Sequence, residues 1–306
     1  MALPYQWQMR VTRWKQIFGG MFGGGGEKRP KLCPACGALV GINATRCHEC
    51  GTSTQFSLAA LSKGLSEFFG GHAPVTVVLL IVNAVMFGLS IVGSFRSGQG
   101  NGFSLLWSMD GITLYRLGSS NPFGFFVEHQ WWRIITASFL HGGLLHIGMN
   151  MLVLLDIGPI LEETYGSARY LFVYVVTGAA GFALSVSMHH NAVGASAALM
   201  GLIGAMIAIT TKRSGMAMQA MRSRLISWVV SVFAIGFLMG GIVDNWGHAG
   251  GLAGGFLLGK ILADRPPMNA RERASAYVLG WIAAGVTVVS FVLMFMQYGD
   301  PLPGTR

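Results

Sequence analysis

The stretch HNAVGASAALMGLIG, residues 190–204, holds Ser196 among Gly, Ala, Leu and Met, inside a run without charge from Val193 to Thr211. Small residues in such a run let two membrane helices approach closely. Ser196 is therefore either part of a packing surface or a nucleophile set inside a membrane. Six further uncharged runs come near the ~20 residues that cross a bilayer: Pro74–Phe95, Ile134–Leu155, Tyr170–Met188, Leu225–Val243, Asn245–Gly259 and Ala276–Tyr298. The run from Asn245 is short, but Lys260 can snorkel and carry it through Leu262. The chain is 52% hydrophobic and only 11% charged over 306 residues, where a soluble domain carries about 25% charged residues. Backbone amides in lipid must pair within their own segment, so the runs are expected as helices. The composition predicts an all-α polytopic membrane protein with seven spans.

Charge predicts the orientation. With the N-terminus in the cytoplasm, inner segments hold 17 Lys and Arg and outer segments 4, a positive-inside bias. That distribution accounts for the net charge of +9 without nucleic acid as a partner. The start, MALPYQWQMRVTRWKQIFGG, has no apolar core of a signal peptide. A multi-pass protein of a bacterial plasma membrane is expected.

The N-terminal part divides by composition. Residues 1–30 form a basic, Gly-rich tail that is either disordered or, through Trp7, Trp14, Phe18 and Phe22, an amphipathic surface helix. Residues 31–52, KLCPACGALVGINATRCHECGT, carry Cys33 and Cys36 in one C-x-x-C and Cys47 and Cys50 in another. Four thiolates suit one tetrahedral structural zinc, and a reducing cytosol disfavours the alternative of two disulfides. Metal would supply most of the folding energy of so small a unit. His48, between two ligands, is expected to be exposed. A closed four-cysteine site has no open position for chemistry, so the module would bind a cytosolic partner or orient the chain. Residues 53–73 are a linker, and the loop 96–133 is expected against the outer membrane surface.

With that orientation the second, fourth and sixth spans enter from outside. The second carries His146 and Asn150 four residues apart on one face, with His141 a turn above. The fourth carries Ser196 in its first turn and the sixth His248 near its start. Polar groups in a span are costly and mark function by default. Gly251, Gly255 and Gly259 make a small-residue stripe that His248 continues, and Ala197, Gly201 and Ala205 make another with Ser196 at its edge. Two such faces can pack with their backbones in near contact. The hydroxyl and the imidazole are then expected at hydrogen-bonding distance. Each residue alone reads equally as packing or as a hydrogen bond between helices.

From roughly Pro74 to Ala263 the chain resembles a rhomboid intramembrane serine protease, on WWRIITASFLHGGLLHIGMNM, GPILEETYGSARY, VGASAALMGL and NWGHAGGLAGG. The resemblance implies a six-helix bundle over 74–263, here followed by a seventh transmembrane helix at 276–298. It implies Ser196 as nucleophile, His248 as general base, and His146 and Asn150 as oxyanion donors. Trp132, Arg133 and Glu162 match the family's structural residues. Catalysis in the family needs no metal, and the substrates implied are transmembrane proteins cut near the outer face, with helix-weakening residues such as Gly. Two positions depart. Ala197 stands where the family usually has Gly, and Met200 where an aromatic commonly packs on the base. A Ser–His dyad is expected rather than a triad, because Asp244 lies at the helix mouth. The alternatives are an inactive rhomboid-like chaperone, disfavoured because Ser196 and His248 are both present, and a channel, disfavoured by the lack of membrane carboxylates and repeats.

Overall fold

The computed structural model describes residues 31–32, 39–41, 44–46, 48–49, 73–98, 107–240 and 243–299. The chain divides into two compact units, Met1–Leu65 and Ser66–Arg306. In the first, β1 (Lys31–Leu32) pairs antiparallel with β2 (Leu39–Val40) in the register Lys31↔Val40 and Leu32↔Leu39. Cys33 and Cys36 fall between these two strands in the sequence. All four cysteines, the tail 1–30 and nearly all of the linker lie outside the described residues. His48 is exposed and faces Glu49 at 3.5 Å.

The second unit is helical: α1 (Pro74–Arg96), α2 (Gly111–Arg116), α3 (Arg133–Thr136), α4 (Leu144–Tyr165), α5 (Ser167–Ser187), α6 (Ser196–Lys212), α7 (Met216–Leu238), α8 (Asn245–Ile261) and α9 (Ala270–Gln297). Five of these, α1, α4, α5, α7 and α9, are long and apolar enough to cross a membrane. Helices α6 and α8 have 17 residues each, about 26 Å at 1.5 Å per residue, a little under the ~30 Å of bilayer hydrocarbon.

Every predicted run meets a helix, but some bounds move. The run Ile134–Leu155 opens with the short turns Arg133–Thr136 and Ala137–Phe139, and α4 begins only at Leu144. It then continues past Asp156 to Tyr165, because its end is set by Gly166, which stops the helix at φ 78°. Charge marks where a helix leaves lipid, not where its hydrogen bonds end. Helix α7 likewise starts before its two arginines, at Met216, and α9 starts at Ala270, capped by Asn269 accepting from Glu272 N at 2.8 Å.

Helix α6 is the axis of the core and buries 13 of its 17 residues, whereas α7 buries only Val229 and Gly236. The α6–α8 seam works through absent side chains. A methyl group at Gly251 would collide with the carbonyl oxygen of Ala197, and one at Gly255 with that of Gly201. Small residues thus bring the two backbones into direct contact.

At the far end of α4 from the site, Glu162 closes the start of α1. Its carboxylate accepts from Val75 N (2.9 Å), Thr76 N (2.8 Å), Thr76 Oγ1 (2.8 Å) and Ser167 Oγ (2.6 Å). The first turn of α1 has no cap of its own, so a carboxylate from another helix supplies it.

Candidate active site

The segment before Ser196 is clamped by backbone hydrogen bonds. Ser120 and Ala192 exchange both of theirs, at 3.0 and 2.9 Å, and Gly194 N donates to Ala137 O at 2.9 Å. Ala195 N donates to His141 Nε2 at 3.5 Å. Gly194 has φ 131°, which favours glycine, and a Cβ there would stand 2.7 Å from His146 Nε2. The chain therefore passes directly beside His146 and Asn150 before α6 starts. No side chain caps α6, whose cap position is Ala195, so its first-turn amides remain available to an anion.

Ser196 is half-buried, while His248 is buried on the fourth residue of α8. Their backbones converge on Gly181 of α5. A Cβ there would stand 2.5 Å from Gly247 O and 2.7 Å from Ala197 Cβ. Ser196 and His248 thus start their helices at the same level. Among the described residues no hydrogen bond joins the two side chains. Bonds of this kind commonly tighten only when substrate is present.

Two of the three imidazoles, those of His141 and His146, accept a backbone N–H. His146 Nδ1 accepts from Gly142 N at 3.3 Å, which leaves the neutral ring's proton on Nε2, the atom beside Gly194. His141 and His146 rings lie 5.1 Å apart edge to face, and His146 is within electrostatic range of His248. Asn150 Nδ2, His141 Nδ1 and His248 Nδ1 are buried without hydrogen-bond partners. Asp244 Oδ1 accepts from Gly247 N at 3.0 Å, capping its own helix rather than bonding His248. The arrangement offers a hydroxyl, a base and several N–H donors around one small space, which suits acyl transfer.

Comparison with known proteins identifies the family. Residues 128–265 match the Rhomboid domain. The chain is 31% identical over 173 residues to Rhomboid protease GluP of Bacillus subtilis, covering 56% of this chain and 32% of that protein. It is 33% identical over 216 residues to RHOMBOID-like protein 6, mitochondrial, of Arabidopsis thaliana, covering 63% and 69%. It is 32% identical over 183 residues to Rhomboid-like protease 3 of Toxoplasma gondii, covering 56% and 68%. The chain belongs to the rhomboid family. It spans 32% of the Bacillus protein and 44% of RHOMBOID-like protein 1 of Arabidopsis.

The matched domain of this rhomboid runs from just before α3 to just after α8, so α1 and α9 lie outside it. Both departures from the family pattern have local answers. The methyl of Ala197 occupies the space that Gly181 leaves on α5. Met200 is buried in a cluster with Ile203 and Val229. The aromatic beside the imidazole comes instead from α7, where Phe233 meets His248 edge to face at 6.2 Å. Gly181, Phe233 and the Ser120–Ala192 clamp are site residues that sequence reasoning missed.

Trp132 and Arg133 are both buried, and Arg133 ties the loop together. The Arg133 guanidinium donates to Tyr115 O at 2.8 Å, to Ser119 O at 3.0 Å and to Gln130 Oε1, and lies 4.1 Å over the Tyr115 ring. Burial, with a hydrogen bond to Glu128, pushes the Tyr115 hydroxyl up to about 12, so it stays a neutral donor.

Proposed function

We propose that this rhomboid is an intramembrane serine endopeptidase that hydrolyses transmembrane proteins near the outer membrane face by a Ser196–His248 dyad. The observation that supports it is the convergence of Ser196, His248, His146 and Asn150 from three helices on one space, with N–H donors left unpaired. His248 takes the Ser196 proton as the oxygen attacks the peptide carbonyl, then gives it to the leaving amine. His146 Nε2–H, Asn150 Nδ2 and the first-turn amides of α6 receive the negative oxygen of the tetrahedral intermediate. Water then attacks the acyl-enzyme, with His248 again as base, and releases Ser196.

In this reading all seven apolar helices cross the bilayer, with the N-terminus cytoplasmic and the loop between α1 and α4 outside, in a bacterial plasma membrane. Six of them form the core at 74–263 and the seventh, 276–298, packs beside it. The tail 1–30, the module 31–52 and the linker 53–73 precede them. Cys33, Cys36, Cys47 and Cys50 would hold a structural zinc. The antiparallel pairing of β1 with β2 supports this reading, because the first cysteine pair lies between the two strands in sequence. Zinc would supply folding energy to the module, which would engage a cytosolic partner. The test is cleavage of a labelled transmembrane model substrate by wild type and Ser196→Ala. Cleavage by wild type alone is expected; equal cleavage by both would end the proposal.

A further inference from the structure

At the turn between α6 and α7 lies a cleft of about 440 Å³, lined among others by Lys212, Arg213, Ser214, Gln219 and Arg222. None of these belongs to the site around Ser196. From Lys212 to Arg224 the chain has four cations and no acid. The way the cations are held is informative. Lys212 Nζ donates to Leu262 O at 3.1 Å, and Arg222 Nη1 donates to Thr210 O at 3.3 Å. Both partners are neutral carbonyls, so these side chains are held in place without losing their charge. Among the described residues Arg213 alone of these cations forms an ion pair, with Asp264 at 2.9 Å, and the Asp264 carboxylate also lies in the field of Lys212. The cleft thus presents fixed positive charge with donors to spare, the requirement for an anion with several acceptor oxygens.

Its surroundings are apolar on one side. The cleft lies where α6 ends and α7 begins, and Met216 at its edge is 87% exposed. Beyond it α7 leaves nearly its whole apolar length uncovered, including Val230 at 61% exposed. We propose that this cleft binds the phosphate group of an anionic glycerophospholipid, whose acyl chains lie along α7. Its level at the lipid boundary rests on α6 and α7 being membrane spans, but not on proteolysis. Basic residues at that boundary attract anionic headgroups.

The test uses the full chain in phosphatidylcholine vesicles containing spin-labelled phosphatidylglycerol or, for reference, spin-labelled phosphatidylcholine. Wild type should immobilise the phosphatidylglycerol label preferentially. Lys212→Gln with Arg222→Gln should lower that preference, by up to about 5-fold for each cation removed. Asp264→Asn, which frees Arg213, should raise it. Displacement of the label from wild type, and not from the double variant, by millimolar inorganic phosphate alone would keep the phosphate chemistry and assign free phosphate as its source. The proposal is overturned if the double variant and Asp264→Asn both retain the wild-type preference. It is equally overturned if Arg271→Gln with Arg273→Gln, away from the cleft, causes as large a loss.

Discussion

Helix α4 carries two buried polar residues, Asn150 and Glu162, that differ in how they are satisfied. They are twelve positions apart, about 18 Å along the axis. Glu162 accepts four hydrogen bonds and leaves no partner of its carboxylate to chance. Around Asn150, Nδ2 of the amide and Nδ1 of His141 and His248 are buried and unpaired. An unpaired buried polar atom costs about 1–3 kcal/mol. The Glu162 cluster therefore stabilises the fold and the Asn150 cluster works against it. Unpaired buried atoms also occur away from this site, at Tyr165, Tyr174 and Ser185 among others, so it is three of them gathered around Asn150, and not a single one, that contrasts with the satisfied Glu162.

The sharpest way to break this contrast is to remove one member from each cluster and read both activity and stability. His248→Ala should lower cleavage of the model substrate by about 10⁴-fold or more. Its Nδ1 has no partner to orphan, so the stability cost should be confined to the cavity and the lost Phe233 contact and stay below that of Glu162→Ala. Glu162→Ala should do the reverse. It strands the amides of Val75 and Thr76, and unfolding stability should fall by about 1–3 kcal/mol for each stranded amide, with cleavage by the remaining folded fraction retained. If His248→Ala unfolds the protein as readily as Glu162→Ala, satisfaction does not distinguish the clusters.

Asn150→Ala sharpens the same contrast within the site. Removing one oxyanion donor should reduce kcat about 10²- to 10³-fold with little change in KM. A rise in KM at constant kcat would instead make Asn150 a substrate-binding residue.

The fold was largely legible in the sequence because an uncharged run of about 20 residues has few alternatives to a helix in lipid. Ser196, His248, His146 and Asn150 could be grouped because each falls near the same end of its span. What could not be read was set by contacts between helices. Phe233 lies fifteen positions before His248 on another helix, and no spacing within α7 marks it as the neighbour of an imidazole. Met200 looked like a loss at the site because the ring that takes its place arrives from outside the local motif. The start of α4 was misplaced for a related reason: Arg133–Phe139 is apolar enough for a span but spent on loop turns.

Ala197 gives the smallest and most discriminating prediction. In the sequence it stands where the family usually has Gly, and so adds one methyl at the start of α6. The structure assigns the missing volume to Gly181, whose absent side chain leaves room for the Ala197 methyl and for Gly247 O. Gly181→Ala should therefore destabilise by about 1–3 kcal/mol, the usual penalty for an extra methyl in a filled core. Ala197→Gly alone should be milder, since it only opens a small void and puts Gly in a helix, at about 1 kcal/mol. Combined, the two should cost less than their sum, because the methyl moves from one helix to its neighbour. Relief should be partial, as the new methyl still meets the carbonyl of Gly247. Thermal unfolding of the four proteins of this cycle measures the coupling. Strict additivity would mean that Gly181 and Ala197 do not share that volume, and that the family's usual glycine after the serine is replaced here by some other adjustment.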